Sequence, residues 1–596
     1  MVSKLVFSKV KILLLFIYLI PVIVLLWFVA TFSVNVPYWD EWNLVNVIEK
    51  VFTGKANLAD FFAQYNEHRL PFPIVIIVNL AFLSKWNINY ELYFNILLAV
   101  ITFLAMYKLS FIEIEIKRER SRHLTNILIC ILLFSLVQYQ NWLWGFQLAW
   151  FLINTCLVIA VLIIALSKNY SKRFYFAVIP CFIASFSSAH GLLSWLAVIP
   201  SVASLNGSSR QRKIRLIIWI LLFAVTCAIY SIGYQKPRNH PSTLFFFKKP
   251  LVAANYFFTL LGTPLVHQTI ISPVIGMILF LIFLLLTYFC LKKSLPEFQL
   301  GSEAAAWISI GLFALMFALI TTVGRAGFGV EQAMSSRYTS SSVLLIISTA
   351  QLWRLSWKNS FIAGIITVLI VINSVYVIPQ AGLLQLHRQV STTCLELVNF
   401  IDKSSDSCLA ELYPSASELR RFAVILEKLG FRKFPKDIAF ITEPVKVHGY
   451  IDYPPTGGTM CTLSKSASVN AVGWTIRPDG YIDPPPRGGT LCTLSKSGTV
   501  NVAGWAILPE TRYLPKTVLF SYGDSRSFFA NAVVNLDSPD VAKALNSSRY
   551  NKVRWSVDIS PKFLPLGETE IKAWVYNPSA QHLVKLSGEP KVKVVE

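Results

Sequence analysis

The sequence predicts an α-helical polytopic membrane protein that ends in an extracytoplasmic β-sandwich domain. Hydrophobic residues make up 54% of the 596 positions and charged residues only 14%, whereas soluble domains carry roughly 25% charged residues. The apolar residues are grouped into runs that approach the ~20 residues needed to cross a hydrocarbon core of ~30 Å. Beyond residue 445 short alternating strands are broken by Gly, Pro and Asp, which is typical of a sandwich.

The net charge of +22 is high enough to suggest a nucleic-acid partner. Its Lys and Arg residues lie mostly in short loops between apolar runs, where positive charge orients membrane helices. We therefore expect no nucleic acid partner. Lys4, Lys9 and Lys11 precede the first run as in a signal peptide, but the run is long and many others follow, which favours an uncleaved anchor with a cytoplasmic N-terminus.

About eleven transmembrane helices are expected. Basic loops such as 210–215 then face the cytoplasm and the C-terminus lies outside. The predicted spans are residues 12–32, 91–113, 124–139, 146–167, 174–188, 192–205, 214–234, 271–291, 304–323, 340–353 and 360–378.

The apolar segment 71–83 is too short to span comfortably. If it crossed the membrane, the basic cluster at 117–122 and most later basic loops would face outward, against the positive-inside rule. An interfacial helix within the first outer loop, residues 33–90, is therefore predicted. The other outer loops are 140–145, 189–191, 235–270 and 324–339.

The sequence divides into a membrane body (1–380), a helical linker (381–444) and the β-sandwich (445–596). Cys394 and Cys408 fall in the outward part, where oxidising conditions permit a disulfide; two free thiols are the alternative. Within the sandwich, residues 449–474 return almost unchanged as 480–505. Two copies are too few for a repeat array, so we interpret them as a partial tandem duplication.

An acidic turn follows the first span. Tyr38 and Trp39 precede the adjacent carboxylates Asp40 and Glu41, which could serve as a base or hold a divalent cation. The alternative is a solvated turn with aromatic residues at the membrane interface. The acidic pair favours function.

Other outer loops supply cationic and hydrogen-bonding groups. Arg325 and Arg337, with Tyr338, lie in one short outer loop, and Arg binds phosphate through paired donors. Pairing with Glu331 is the alternative for these arginines. The residues expected to line the same substrate cavity are Tyr38, Trp39, Glu67, His68, Arg69, Trp144, Gln147, His190 and Glu331.

The sequence contains no GxxxxGK[ST], HExxH or CxxC motif, so ATP-driven transport and common zinc chemistry lack support. The first span, the Asp40-Glu41 loop, the helix begun at Pro71 and the multispan body resemble the GT-C superfamily of membrane glycosyltransferases, with the aminoarabinose and protein mannosyl transferase families as the nearest analogues. The resemblance covers residues 1–380 in layout.

That resemblance implies a GT-C-like fold and a polyprenyl-phosphate-linked sugar donor, with a lipid or glycan acceptor. Asp40 or Glu41 would then deprotonate the acceptor, while Arg325 and Arg337 would stabilise the leaving phosphate. It also implies a bacterial inner (plasma) membrane. No cofactor is assigned beyond a possible divalent cation at the acidic pair.

Two other functions stay open from the sequence. A transporter or flippase of lipid-linked glycans would use the arginines for phosphate and the carboxylates for proton relay. A non-catalytic envelope assembly protein is the third reading. Almost none of the predicted spans carries an internal Asp or Glu, which favours chemistry at the surface over proton-coupled transport.

Overall fold

The computed structural model describes residues 2–112, 119–167, 172–236, 245–294, 301–357, 359–403, 405–443, 448–452, 492–495, 500–511, 513–588 and 590–595. It divides into two compact units. The first comprises Met1–Asn35 and Asn46–Gly382, and the second comprises Val36–Val45 and Leu383–Glu596. The acidic turn of the first outer loop therefore belongs to the C-terminal unit, which the sequence did not predict.

The first unit is built from α-helices. Those that begin within it are Val2–Phe32, Leu58–Phe61, Pro71–Ser84, Asn89–Ser110, Glu119–Leu133, Tyr139–Trp142, Leu148–Leu166, Val178–Ser185, Leu193–Ala197, Ile199–Ala203, Ser209–Ser231, Phe245–Lys248, Pro250–Gly262, Ile271–Ser294, Ser302–Arg325, Thr339–Trp357, Phe361–Tyr376 and Ile378–Glu396, and the last continues into the second unit. A two-stranded hairpin, β1 (Gln64–Tyr65) and β2 (His68–Arg69), also belongs to this unit.

Within the described ranges, eight helical segments are long and apolar enough to cross a membrane. They are Ile12–Phe32, Asn89–Ser110, Glu119–Trp142, Gly145–Leu166, Ser209–Ser231, Ile271–Lys292, Ser302–Phe328 and Phe361–Glu396. The chain is thus an integral membrane protein with a helical multispan body, as predicted.

The remaining predicted spans fall in shorter or more polar helices. Residues 174–188 and 192–205 lie in the apolar segments Arg173–Ser185 and Ala189–Ala203, which are below the ~20 residues of a full crossing. Residues 340–353 lie in Thr339–Trp357, where seven serines and threonines reduce the apolar character. The segment predicted to be interfacial forms the 14-residue helix Pro71–Ser84.

Glycines set the closest helix contact in the first unit. A Cβ on Gly262 would lie 1.9 Å from the Ser272 carbonyl oxygen, and one on Gly276 would lie 1.8 Å from that of Phe258. Backbone atoms cannot move aside as a flexible side chain can. The helices Pro250–Gly262 and Ile271–Ser294 therefore pack backbone to backbone at this pair.

The second unit holds most of the β structure. Its strands are β3 (Ala439–Ile441), β4 (Gly449–Asp452), β5 (Cys492–Ser495), β6 (Val500–Ala506), β7 (Thr517–Tyr522), β8 (Ala530–Leu536), β9 (Arg554–Ile559), β10 (Gly567–Asn577), β11 (His582–Lys585) and β12 (Lys591–Val595). The main order is β3-β11-β10-β7-β8-β9-β6-β4, and β12 pairs with both β10 and β5. Of these pairings, β3 with β11 and β5 with β12 are parallel.

These strands form a curled sheet around one hydrophobic core, so the predicted C-terminal β domain is confirmed. Trp555 and Phe520 are buried in this core with ring centroids 5.4 Å apart. Gly504 of β6 pairs with Trp555 of β9, and a Cβ there would lie 2.6 Å from the Trp555 ring. Most of the duplicated segments 449–474 and 480–505 lies outside the described residues.

Short helices accompany the sheet. Ser407–Ala410, Ala416–Lys428 and Pro539–Ala544 lie in this unit. The Ser415 hydroxyl caps the second by accepting from the Glu418 amide at 3.3 Å. A disulfide joins Cys394 to Cys408, the pair that the sequence singled out, with Cα atoms 6.1 Å apart.

Candidate functional site

The β1–β2 hairpin presents Glu67 and His68 at its turn. Asn66 takes a positive φ of 51°, a conformation that Asn adopts more readily than most residues. The Tyr230 hydroxyl fixes the turn by donating to the Glu67 carbonyl oxygen at 2.9 Å. A hydrogen bond to the backbone therefore fixes the turn that carries the Glu67 and His68 side chains.

Arg69 anchors the same hairpin. Its Nε donates to the Tyr230 carbonyl oxygen at 2.8 Å, and the guanidinium also donates to the carbonyl oxygens of Phe62, at 2.6 Å, and Ile232. These bonds occupy the three nitrogens of a side chain that is only 9% exposed. Arg69 therefore links the hairpin to the end of helix Ser209–Ser231 through these hydrogen bonds.

A salt bridge joins Glu67 to Arg325. The guanidinium donates to Glu67 Oε1, and His68 Nε2 lies 3.6 Å from the same oxygen. The sequence left phosphate or Glu331 as partners for Arg325. The structure instead gives it Glu67, whereas Glu331 is exposed and forms no salt bridge with any residue described.

Two histidines lie beside this pair. His68 Nδ1 accepts a hydrogen bond from the Ala189 backbone N–H at 3.3 Å, which leaves the proton of the neutral ring on Nε2, the nitrogen nearest Glu67. The Ser188 hydroxyl lies 3.2 Å from His68 Nδ1 and 3.5 Å from His190 Nδ1. The two ring centroids are 6.0 Å apart. Glu67, His68 and His190 thus form one cluster with Arg325.

His190 is kept neutral. Burial lowers its pKa to about 3, and the neighbouring His68 acts in the same direction. Its Nε2 lies 3.3 Å from the Thr321 hydroxyl. The turn that carries it requires glycine, since a Cβ on Gly191 would lie 1.7 Å from the Ala184 carbonyl oxygen.

Aromatic rings connect this cluster to the segment that carries Arg337. The Trp150 ring lies 5.1 Å from His190 and 5.5 Å from Phe317. Phe317 in turn lies 6.2 Å from Tyr338. The predicted donor-phosphate residues and the histidine cluster therefore lie in one continuous region of the first unit.

Arg337 is the cation of this region without a carboxylate partner in the described part of the chain. Its guanidinium carbon lies 5.4 Å from the centre of the Tyr338 ring, and its Nε is buried with no hydrogen-bond partner there. Both Arg325 and Arg337 act electrostatically on the Tyr256 hydroxyl, which donates to Gln332 Oε1 at 2.9 Å. The two arginines expected to act together thus share a neighbour.

The outer turn at 138–147 packs on the Arg337 segment. The Asn141 amide nitrogen donates to the Arg337 carbonyl oxygen at 3.1 Å, and the Gln140 backbone N–H donates to the Ser336 hydroxyl at 3.1 Å. Trp144 and Gln147, both expected in the cavity, are 9% and 3% exposed.

The acidic turn lies in the second unit. Glu41 is fully buried, and its Oε2 accepts from the Tyr38 backbone N–H at 2.7 Å. Trp39 takes a positive φ of 49°, which is uncommon for a bulky residue and indicates local strain. The Trp39 N–H donates to the Leu412 carbonyl oxygen at 2.7 Å, which holds the turn.

Arg388 packs against the Tyr38 ring of the acidic turn, with 4.2 Å between its guanidinium carbon and the ring centre. It also interacts electrostatically with Glu41. Asp40 is only partly buried. Burial raises the pKa of Tyr413, and the carboxylates of Glu418 and Asp40 raise it further.

The acidic pair does not offer a cation two free carboxylates. Glu41 already binds a backbone amide and interacts with Arg388. Among the described residues, no group of three or more His, Cys, Asp or Glu side chains suits a metal ion.

Sequence reasoning did not find Arg388, Tyr256 or Thr321. Arg388 is a single basic residue hundreds of positions from Glu41, and Tyr256 lies on an apolar helix whose pattern suggests only packing. Thr321 lies inside helix Ser302–Arg325, where it reads as one more small residue. Only their folded contacts distinguish them.

No protein-family model and no curated protein matches the chain. One solved structure is similar: the archaeal oligosaccharyltransferase AglB from Archaeoglobus fulgidus, in complex with an inhibitory peptide and a dolichol-phosphate. The identity is 12% and the TM-score 0.35, over 73% of this chain. The match spans 62% of the length of AglB, and the activity, substrates and partners of this chain are therefore matters of proposal.

Proposed function

We propose that this chain is a GT-C-type membrane glycosyltransferase, which moves a sugar from a polyprenyl-phosphate donor to a lipid or glycan acceptor during synthesis of a cell-envelope glycan or glycolipid. The reaction takes place at the extracytoplasmic face, in a membrane of the bacterial inner (plasma) type. The N-terminus is cytoplasmic and the C-terminal domain extracytoplasmic.

One observation carries the proposal. Arg337, at the end of a loop between two apolar helices, has no carboxylate partner among the described residues and keeps a buried, unpaired Nε. A guanidinium binds phosphate through paired, charge-assisted hydrogen bonds. A phosphate whose lipid tail stays in the bilayer suits this position, because the segment before the loop, Ser302–Phe328, is apolar enough to cross a membrane.

The two arginines have different roles in this proposal. The charge of Arg325 is already balanced by Glu67, so Arg325 and Glu67 hold the surroundings of Tyr256 in place. Arg337 binds the donor phosphate and stabilises the negative charge that grows on it as the sugar leaves.

The reaction is a single displacement. An acceptor hydroxyl oxygen bonds to the anomeric carbon, the bond from that carbon to the phosphate oxygen breaks, and polyprenyl phosphate leaves with the electron pair. The hydroxyl proton passes to a carboxylate base, and inversion follows at the anomeric carbon.

A transfer assay tests the proposal. Full-length protein in nanodiscs is incubated with radiolabelled polyprenyl-phosphate hexose and an extract of the source membranes as acceptor. We expect Arg337→Ala to lower kcat/KM at least 100-fold, the size of a lost electrostatic contribution to transition-state stabilisation. Arg120→Ala, at an exposed arginine of the first unit, is the matched control and should retain wild-type activity.

Transfer unaffected by Arg337→Ala would overturn the role assigned to Arg337. Movement of intact donor across the bilayer, with no sugar transferred by the wild type, would replace the proposal with the transporter alternative.

A further inference from the structure

Buried polar atoms without partners gather on a few segments of the first unit. They are one or more side-chain atoms of each of six residues, which we call the amide cluster: Asn95, Asn141, Gln147, Arg337, Thr339 and Ser340. Both polar atoms of the Asn95 amide lack a hydrogen-bond partner among the described residues, although the residue is fully buried.

The segments that carry the amide cluster touch one another. Helix Asn89–Ser110, with Asn95, packs against Tyr139–Trp142 and against Gly145–Gln147. Asn141 is bonded to the Arg337 carbonyl oxygen, and Thr339 and Ser340 follow Arg337 directly. The Asn154 amide nitrogen holds the Ser340 carbonyl oxygen at 2.9 Å.

At least one amide of the amide cluster has a fixed orientation. The Asn141 nitrogen is already committed to the Arg337 carbonyl, so its oxygen is the atom left to accept a hydrogen bond. Gln147 also leaves an oxygen, while Arg337 leaves an N–H donor. Thr339 and Ser340 leave hydroxyls, each of which can donate and accept.

Buried polar groups are normally paired, and each exception calls for an explanation. Asn95, Asn141 and Gln147 lie in helices apolar enough for a membrane, where water does not satisfy polar groups from the lipid side. A ligand rich in hydroxyl groups can pair with both the donors and the acceptors of the amide cluster, because each hydroxyl both donates and accepts. Phosphate alone does not, since it offers acceptors and no counterpart for the amide oxygens.

The charges of the side chains in the amide cluster indicate which class of sugar it can bind. Arg337 is the one ionisable side chain of the six and it is cationic. A buried ammonium group needs a carboxylate partner, and the amide cluster contains none. We propose that the amide cluster binds the sugar of the donor beside the phosphate on Arg337, and that it selects an uncharged sugar over an amino sugar. This inference rests on the proposed function.

Equilibrium binding to the full-length protein in nanodiscs tests the inference without requiring transfer. The probes are farnesyl phosphate, farnesyl phosphate glucose and farnesyl phosphate glucosamine. We expect the wild type to bind the glucose probe at least tenfold more tightly than either of the other two. Equal binding of all three would overturn the inference and leave the unpaired atoms to ordered water.

Two substitutions sharpen the test. Gln147→Glu supplies the missing carboxylate, and the preference for glucose over glucosamine should fall at least tenfold or reverse. Thr339→Val removes one hydroxyl at nearly constant shape and should weaken the glucose probe three- to tenfold, with no change for farnesyl phosphate. Asn79→Ala, at an exposed amide of the same unit, should change none of the three affinities.

Folding of each variant is checked by its melting temperature. A preference that survives both substitutions in folded protein would overturn the assignment to the amide cluster. Failure of the proposed function looks different, because glucose selectivity would persist in binding while no donor supports transfer.

Discussion

Glu67 accepts a hydrogen bond from Arg325 across 258 positions of sequence. The contact joins a short hairpin in the first outer loop to the end of a helix in the last third of the membrane body. Because Arg325 is neutralised in this way, the charge available for a phosphate lies on Arg337. The pair thus separates two arginines that look equivalent in sequence.

The Glu67–Arg325 pair should show strong energetic coupling. Removing one partner leaves a partly buried charge unpaired, so Glu67→Gln and Arg325→Met should each lower the melting temperature. The sum of the two single losses should exceed the loss in the double variant. We expect a coupling of about 1–2 kcal/mol in a double-mutant cycle. Thermal unfolding followed by tryptophan fluorescence measures it.

The exposed pair Glu418–Arg421 is the matched comparison, since both side chains are 47% exposed. The same cycle there should give about 0–0.5 kcal/mol. Additive effects at Glu67 and Arg325 would show that their contact is not an energetic pair.

Gly191→Ala should disrupt the turn that carries His190. The new Cβ would meet the Ala184 carbonyl oxygen at 1.7 Å, and a backbone atom cannot swing away. We expect a clear loss of melting temperature or of folded yield. Gly364→Ala is the control, because no atom lies within 4 Å of a Cβ there, and alanine favours the helix. Equal melting temperatures for the two variants would contradict the close approach at Gly191.

The pH dependence of stability should report on His190, in the turn Ala189–Leu192 outside the eight long apolar helices. Its pKa is about 3 in the folded chain and about 6.5 when unfolded. Below pH 6.5 this histidine is protonated in the unfolded state, whereas in the folded state it stays neutral until the pH approaches 3. The contribution of His190 to the free energy of unfolding is therefore complete above pH 6.5. It decreases as the pH falls, by about 2 kcal/mol at pH 5.

His190→Gln should flatten the fall in melting temperature between pH 7.5 and pH 5. His387→Gln, at an exposed histidine, should leave that fall unchanged. An identical profile in wild type and His190→Gln would show that His190 does not titrate in this range on unfolding.

Much of the fold follows from the sequence because hydrophobic length and strand alternation are local signals. Runs such as Ile12–Phe32 needed no tertiary information, and the length of the apolar run at 71–83 was enough to predict a helix shorter than a full span, Pro71–Ser84. The Ser and Thr residues of Thr339–Trp357 show where this reasoning weakens. A helix buried among other helices can carry hydroxyls, some of which bond to its own backbone carbonyls as Ser342 and Thr349 do, so its hydropathy understates its place in the body.

The candidate site could be predicted only in part. Arg325 and Glu67 were each noticed for their chemistry, but their pairing depends on a fold that brings two outer loops together. The segment Val36–Val45 shows the same limit more sharply, since adjacency to the first span suggested the membrane body while its contacts assign it to the second unit. Arg388 has no local signal at all.

The Cys394–Cys408 disulfide should stabilise the second unit. Closing a loop of 14 residues removes unfolded-state freedom worth about 3 kcal/mol in the chain-entropy account. The double variant Cys394→Ser with Cys408→Ser should therefore melt at a lower temperature than the wild type. Cys227→Ser, at a free cysteine, provides the control. Unchanged melting of the double variant would contradict a stabilising role.

Mass spectrometry of one complete reaction tests the central claim most directly. Full-length protein in nanodiscs is given a polyprenyl-phosphate hexose and acceptor extract, and both products are quantified. The proposed glycosyltransferase predicts equimolar polyprenyl phosphate and glycosylated acceptor, with both lost in Arg337→Ala and retained in Arg120→Ala. Recovery of the donor intact, or equal product from wild type and Arg337→Ala, would contradict it.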